Sequence, residues 1–88
     1  MNLNSLITYD NLPKLDLHGL DRDCASLYVR MFIEDNIKLK NKFILIVHGV
    51  GQGILKKATH DHLKKNKNVI EYKTIYYNNG CTVVHLKI

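Results

Sequence analysis

The sequence predicts an α/β fold: a βαβαββ two-layer sandwich, with a four-stranded mixed sheet and two helices. Three observations predict it. Phe43 to Val47 is an unbroken apolar run with β-branched members, too short for a helix, and this is the pattern of a fully buried central strand. Stretches with helical periodicity flank that run on both sides. Near the C-terminus Asn78-Asn79-Gly80, a hairpin signal, divides two β-rich segments.

Taken in order, residues 1–13 read as a lead-in that drapes over the domain or stays mobile, closed by the turn-like Asn11-Leu12-Pro13. The domain proper is expected to span 14–88. Lys14 to His18 alternates polar and apolar residues, giving a short strand that Gly19 ends. Asp21 or Asp23 can cap the helix that follows, which runs to about Leu39. Its apolar face is expected to carry Cys24, Ala25, Leu27, Tyr28, Val29, Met31, Phe32 and Leu39, with Cys24 in the core. After the central strand, His48 to Gly53 is a glycine-rich loop, and a second helix spans roughly Ile54 to Asn66. One half of that helix carries Ile54, Leu55, Ala58, His62 and Leu63; the other carries Lys56, Lys57, His60, Lys64 and Lys67. Val69 to Tyr77 reads as the third strand and Cys81 to Ile88 as the fourth, with Asn78 to Gly80 as the turn between them.

Composition narrows the classes of function. The chain has 88 residues, one small domain with a modest stability margin. Hydrophobic residues make up 45% and charged residues 24%, an ordinary globular balance that argues against disorder or low complexity. No apolar run approaches the roughly 18 residues of a membrane span, and the N-terminus lacks a signal-peptide pattern. Cys24 and Cys81 lie far apart with no CxxC spacing, which points to a reduced, cytoplasmic protein without a zinc knuckle or disulfide framework. The formal net charge of +5 favours polyanionic partners.

The chemistry-bearing residues converge if the first two strands are parallel, as a strand–helix–strand passage requires. Asp16-Leu17-His18-Gly19 and His48-Gly49-Val50-Gly51 then end at the same sheet edge, where open α/β sheets place ligands. A parallel third strand would bring the Asn78–Gly80 turn and Cys81-Thr82 to that edge as well. Asp16 and His18, two apart on a strand, face one side, and such a carboxylate–imidazole pair can work as general acid or base on a phosphodiester or help hold a divalent metal. The bland alternative is a strand-end pair that caps a helix. Gly49, Gly51 and Gly53 let main-chain N–H groups turn toward a phosphate at a helix N-terminus, although the loop matches neither Walker A nor the dinucleotide pattern. A tight turn needing positive φ explains the same glycines. Lys56, Lys57, His60, Lys64 and Lys67 can track a nucleic-acid backbone, or form an ordinary solvated face. His62 reads as a packed, hydrogen-bonded core histidine, and His85 takes no role. Cys81 has no base beside it in sequence to make it a nucleophile. Tyr72 and Tyr76 share a face of the third strand, where sheet packing outweighs base stacking.

Three segments, Leu15-Asp16-Leu17-His18-Gly19-Leu20, His48-Gly49-Val50-Gly51 and Gly80-Cys81-Thr82-Val83-Val84, resemble the signatures of the Smr (small MutS-related) domain family, in order and separation, over about Pro13 to Ile88. The resemblance, in its stand-alone form, implies a βαβαββ sandwich that binds DNA or RNA and often cleaves it. It implies functional roles for Asp16 and His18, for His48, Gly49 and Gly51, and for Gly80 and Thr82. Val50 stands where the family usually has Lys or Arg, and Lys56 is near enough to replace part of that charge.

The expectation is therefore a cytoplasmic domain, taken as a monomer, that binds DNA or structured RNA and cleaves phosphodiesters. Asp16, His18 and His48 are the catalytic candidates. Gly49, Gly51, Gly53, Lys56, Lys57, His60, Lys64, Gly80 and Thr82 are the nucleic-acid-binding candidates. A divalent metal, Mg or Mn, is an open option with no ligands assigned. The alternative is a non-catalytic module that binds nucleic acid or a ribonucleoprotein; an enzyme of small phosphorylated metabolites ranks last.

Overall fold

The structure, a computed structural model, describes residues 9, 11–75 and 78–88. The element order is β1 (Lys14–Asp16), α1 (Arg22–Lys38), β2 (Phe43–Val47), α2 (Ile54–Lys65), β3 (Val69–Ile75) and β4 (Asn78–Leu86). The four strands form one sheet in the order β1-β2-β4-β3. β1 and β2 are parallel, and β4 is antiparallel to both β2 and β3. β3 therefore runs in the same sense as β1 and β2. The carboxyl ends of β1, β2 and β3 and the start of β4 share one sheet edge.

The alternation of β2 divides the core between two faces. Ile44 and Ile46 point to the helices, where they meet Leu17, Ala25, Val29, Ile33, Leu63, Val84 and Leu86. Phe43 and Leu45 point the other way and pack with Ile75, Cys81 and Val83. Tyr9 and Leu12 of the lead-in cover part of that second face, together with Val47. This arrangement keeps both central strands, β2 and β4, dry on both sides. Of the buried Leu17, no part is exposed, and its N–H donates to the Val47 carbonyl (2.9 Å), tying the end of β1 to the end of β2.

α1 begins where expected. The Asp21 side chain accepts from the Cys24 N–H (2.8 Å), and Asp23 adds negative charge in the first turn. Its buried stripe is Ala25, Val29, Ile33 and Asn36. This corrects the broad face read from sequence: Cys24 is exposed, not core, and Leu27, Tyr28, Met31 and Leu39 are exposed as well. Apolar residues occupy so much of this helix's circumference that periodicity alone does not fix its phase. Buried Asn36 is satisfied by the Phe32 carbonyl and by the Asn41 side chain, both at 2.8 Å.

A second correction concerns Asn78 to Gly80. They belong to β4, not to a turn, and Asn78 pairs with Ile75. The register shifts between Thr74 and Ile75, so Asn79, Gly80 and Cys81 form an irregular stretch of β4. Residues 76 and 77, including the Tyr76 considered for base stacking, lie outside the described residues.

Candidate active site

The fold brings the first two motifs together. A cleft of about 240 Å³ is lined by Asp16, His18, Gly19, Val47, His48, Gly49 and Leu55. A neighbouring depression is formed by His48 through Leu55, the whole glycine loop and the first residues of α2. His48 borders both.

On the first side, β1 stops at Asp16, so His18 lies in the turn that follows rather than on the strand. The Asp16 carboxylate accepts from the His18 main-chain N–H (2.9 Å). This differs from the side-by-side pair expected on a strand: Asp16 shapes the turn that carries His18 and does not grip its imidazole. The His18 ring is exposed. Gly19 completes the turn at φ +82°, a conformation that favours glycine.

On the second side, β2 delivers His48 at the same edge. Its main-chain N–H and that of Gly49 both donate to the Gly80 carbonyl, at 2.8 and 3.0 Å. The irregular stretch of β4 thus anchors the start of the glycine loop. Gly49, Gly51 and Gly53 all have positive φ (+79°, +41° and +79°), and a Cβ at any of them would meet nothing within 4 Å. Backbone conformation, not space, calls for glycine here. Gly53 is the N-cap of α2, and no side chain caps that helix. Its first turn therefore presents N–H groups and partial positive charge beside the cleft. Val50 and Ile54 stay exposed at the rim.

The His48 side chain is almost entirely buried, at 5% exposure. Nδ1 lies 2.9 Å from the Gly49 carbonyl oxygen, and Nε2 lies 2.7 Å from Thr82 Oγ1. Burial lowers its pKa below the ordinary histidine value; Lys56 acts in the same sense, and the Gly49 carbonyl acts against it. Burial thus favours the neutral form of His48. Thr82 is fully buried, and its hydroxyl also lies 2.8 Å from His60 Nε2. The His60 ring meets Tyr72 edge-on at 5.0 Å and His48 at 5.9 Å, centroid to centroid.

This chain of side chains was not legible as a unit. Thr82 shares the helix-facing parity of Val84 and Leu86, which was a usable signal. His60 was placed on the polar half of α2, yet it is half-buried against β3 and β4. Lys56, His60 and Lys64 form one row at i, i+4 spacing leading away from the cleft. Lys57 lies off that row and pairs with Asp61 (3.2 Å).

Other titratable groups lie elsewhere. His62 is half-buried and its Nε2 accepts from Asn66 Nδ2 at 3.1 Å, at the seam of α1 and α2 rather than in the core. His85, assigned no role from sequence, is buried, stacks on Phe43 and meets Glu71 Oε2 at 3.1 Å. Cys81 is buried on the far face, and desolvation raises its thiol pKa, opposite to what a nucleophile needs. Among the described residues no three His, Cys, Asp or Glu side chains converge on a metal position. Asp16 is the one carboxylate lining the cleft among the described residues, and one of its oxygens already serves the His18 N–H. The donor set therefore does not fit a Mg or Mn ion held by protein ligands. No helix among the described residues is long and apolar enough to cross a membrane.

Comparison with known proteins agrees with this architecture. The Smr domain family profile matches residues 15–87. Endonuclease MutS2 of Clostridium botulinum (strain Eklund 17B / Type B) is 38% identical over 77 residues, covering 84% of this chain and 10% of that protein. Endonuclease MutS2 of Clostridium novyi is 33% identical over 90 residues, covering 99% of this chain and 11% of that protein. The chain thus spans about a tenth of the length of these curated relatives. Among solved structures, the Smr domain of Thermus thermophilus MutS2 superposes with a TM-score of 0.85 at 29% identity, over 88% of this chain and 100% of that one. YdaL, a stand-alone small MutS-related protein from Escherichia coli, shares the fold with a TM-score of 0.83 at 21% identity, over 92% of this chain and 69% of that one. With the sheet order, the two His-Gly strand ends and the glycine loop in place, the conclusion is direct: this chain belongs to the Smr domain family.

Proposed function

We propose that this domain binds nucleic acid and cleaves its phosphodiester bonds at the β1–β2 edge. The observation that carries the reading is the shared cleft: Asp16 and His18 face His48 and Gly49 across it. A scissile phosphate at the mouth of the glycine loop would meet the uncapped N-terminus of α2. Lys56, close enough to depress the pKa of both His48 and His60, would offset the charge that grows on the phosphoryl oxygens. The exposed His18 imidazole would take the proton from the nucleophile, which is water or, on RNA, the neighbouring 2′-OH. Asp16 would hold the turn that aims it. His48, with both ring nitrogens occupied, would set the shape of the loop from below. The endonuclease names of the MutS2 relatives support the same reaction class.

Val50 favours a second reading. It puts an exposed apolar side chain on the loop where the resemblance leads one to expect a cation, and a binding module without catalysis would tolerate it. One assay separates the readings: purified protein is offered branched DNA and structured RNA, with binding and cleavage both followed. The proposal expects cleavage, and its loss in Asp16→Asn/His18→Ala with binding nearly unchanged. Binding without cleavage by the unaltered protein selects the module, and cleavage that survives the double substitution removes Asp16 and His18 from the mechanism.

A further inference from the structure

The hydrogen-bond chain beneath the glycine loop has a direction. A carbonyl oxygen only accepts, so the contact from His48 to Gly49 places the hydrogen on Nδ1. Neutral His48 then has its lone pair on Nε2, and the Thr82 hydroxyl donates to it. That spends the single hydrogen of Thr82. His60 must therefore donate from Nε2 to Thr82 Oγ1, and a neutral His60 keeps its lone pair on Nδ1. Among the described residues, no hydrogen-bond partner meets His60 Nδ1. Every buried side-chain nitrogen or oxygen among the described residues does have a partner, so Nδ1 is not fully buried.

The two imidazoles consequently differ as proton acceptors. A proton on His48 would make Nε2 a donor, force the Thr82 hydroxyl to reverse, and require His60 to change tautomer. A proton on His60 enters at the free Nδ1 and disturbs no bond. The groups facing His60 are His48 from the loop, Lys56, Lys64 and Asp61 from α2, Tyr72 from β3 and Thr82 from β4. Burial, then His48, Lys56 and Lys64, hold its pKa below the ordinary histidine value, with Asp61 opposing. A phosphate backbone along the row Lys56–His60–Lys64 would neutralise the two lysines and remove their share of that penalty.

We propose that His60 is a binding residue of this site in its protonated form, so that docking of a nucleic-acid backbone along α2 is coupled to uptake of a proton at His60 Nδ1. This rests on the reading that the edge binds nucleic acid. The charge arrives on binding, beside half-buried Lys56 and exposed Lys64.

The test is calorimetric titration of the full chain with a short oligodeoxythymidylate at about pH 6.5, in two buffers of different ionisation enthalpy. The expected result is a buffer-dependent enthalpy that reports net uptake of a fraction of a proton, with affinity that weakens as pH rises, by at most about tenfold per pH unit. His60→Gln retains an N–H donor for Thr82 and cannot titrate, so it should bind with little or no proton uptake and a flatter pH profile. A buffer-independent enthalpy in the unaltered protein, or undiminished uptake in His60→Gln, overturns the inference while leaving nucleic-acid binding in place. No binding in any buffer overturns the binding reading and the inference with it. As a check that does not depend on a variant, imidazole NMR of the unaltered protein should show the His60 titration moving to higher pH with oligonucleotide present; an unmoved titration also overturns it.

Discussion

His18 and His48 follow adjacent parallel strands. Each lies just beyond the end of its strand at the same sheet edge, His18 two residues after Asp16 and His48 one after Val47, and each precedes a glycine of nearly the same φ, +82° at Gly19 and +79° at Gly49. Their surroundings are opposite. The His18 ring is exposed, and its neighbouring carboxylate grips only the main chain. His48 is buried, with one nitrogen on the Gly49 carbonyl and the other on Thr82. A histidine whose nitrogens are both engaged can hold a loop in shape; one whose ring is open can exchange protons with a substrate. The same dipeptide thus supplies a fixed post on one side of the cleft and an exposed imidazole, the proposed base, on the other.

Substitutions can break this contrast at either post. The largest effect is expected at His18: loss of a general base costs typically about 10²–10⁴-fold in rate, so His18→Ala should lose cleavage while its unfolding midpoint stays put. Thr82→Val comes next. It removes the hydroxyl shared by two imidazoles at a fully buried position, and leaving buried polar groups unpaired should cost about 1–3 kcal/mol in a denaturant titration. Gly49→Ala follows, at about 1–2 kcal/mol, because its φ of +79° strains an L-residue although the added Cβ has room. If Gly49→Ala proves neutral, the loop is not held as described.

Smaller effects sharpen the comparison. Burial leads the causes that lower the pKa values of His48, His60 and His62. The unfolded chain then binds more protons than the native one below the ordinary histidine value of 6.5, so stability should fall as pH drops through that value. Smallest of all, Lys57→Ala removes an exposed ion pair with Asp61 and should change stability by no more than about 0.5 kcal/mol.

Much of this architecture is legible in the sequence. The apolar run at Phe43–Val47 identified the central strand, and the parallel pairing of β1 with β2 followed from the intervening helix. That pairing alone predicted that the two His-Gly motifs would share an edge. The phase of α1 was not legible, because Cys24, Leu27, Tyr28 and Met31 are as apolar as the residues that pack. Asn78-Asn79-Gly80 misled because the residues that favour a hairpin turn also favour an irregular strand. His60 was read as surface because helical periodicity locates it at the margin of the buried arc. Only the placement of α2 over β4 brings it onto Thr82.

The most direct test is a parallel cleavage and stability measurement on His18→Ala and His48→Ala, with branched DNA and structured RNA as the proposed substrates. We expect His18→Ala to keep its folding midpoint and its binding while cleavage falls by about 10²-fold or more, and His48→Ala to lose stability first. Cleavage by His18→Ala at the unaltered rate would contradict the assignment of the exposed histidine as the base.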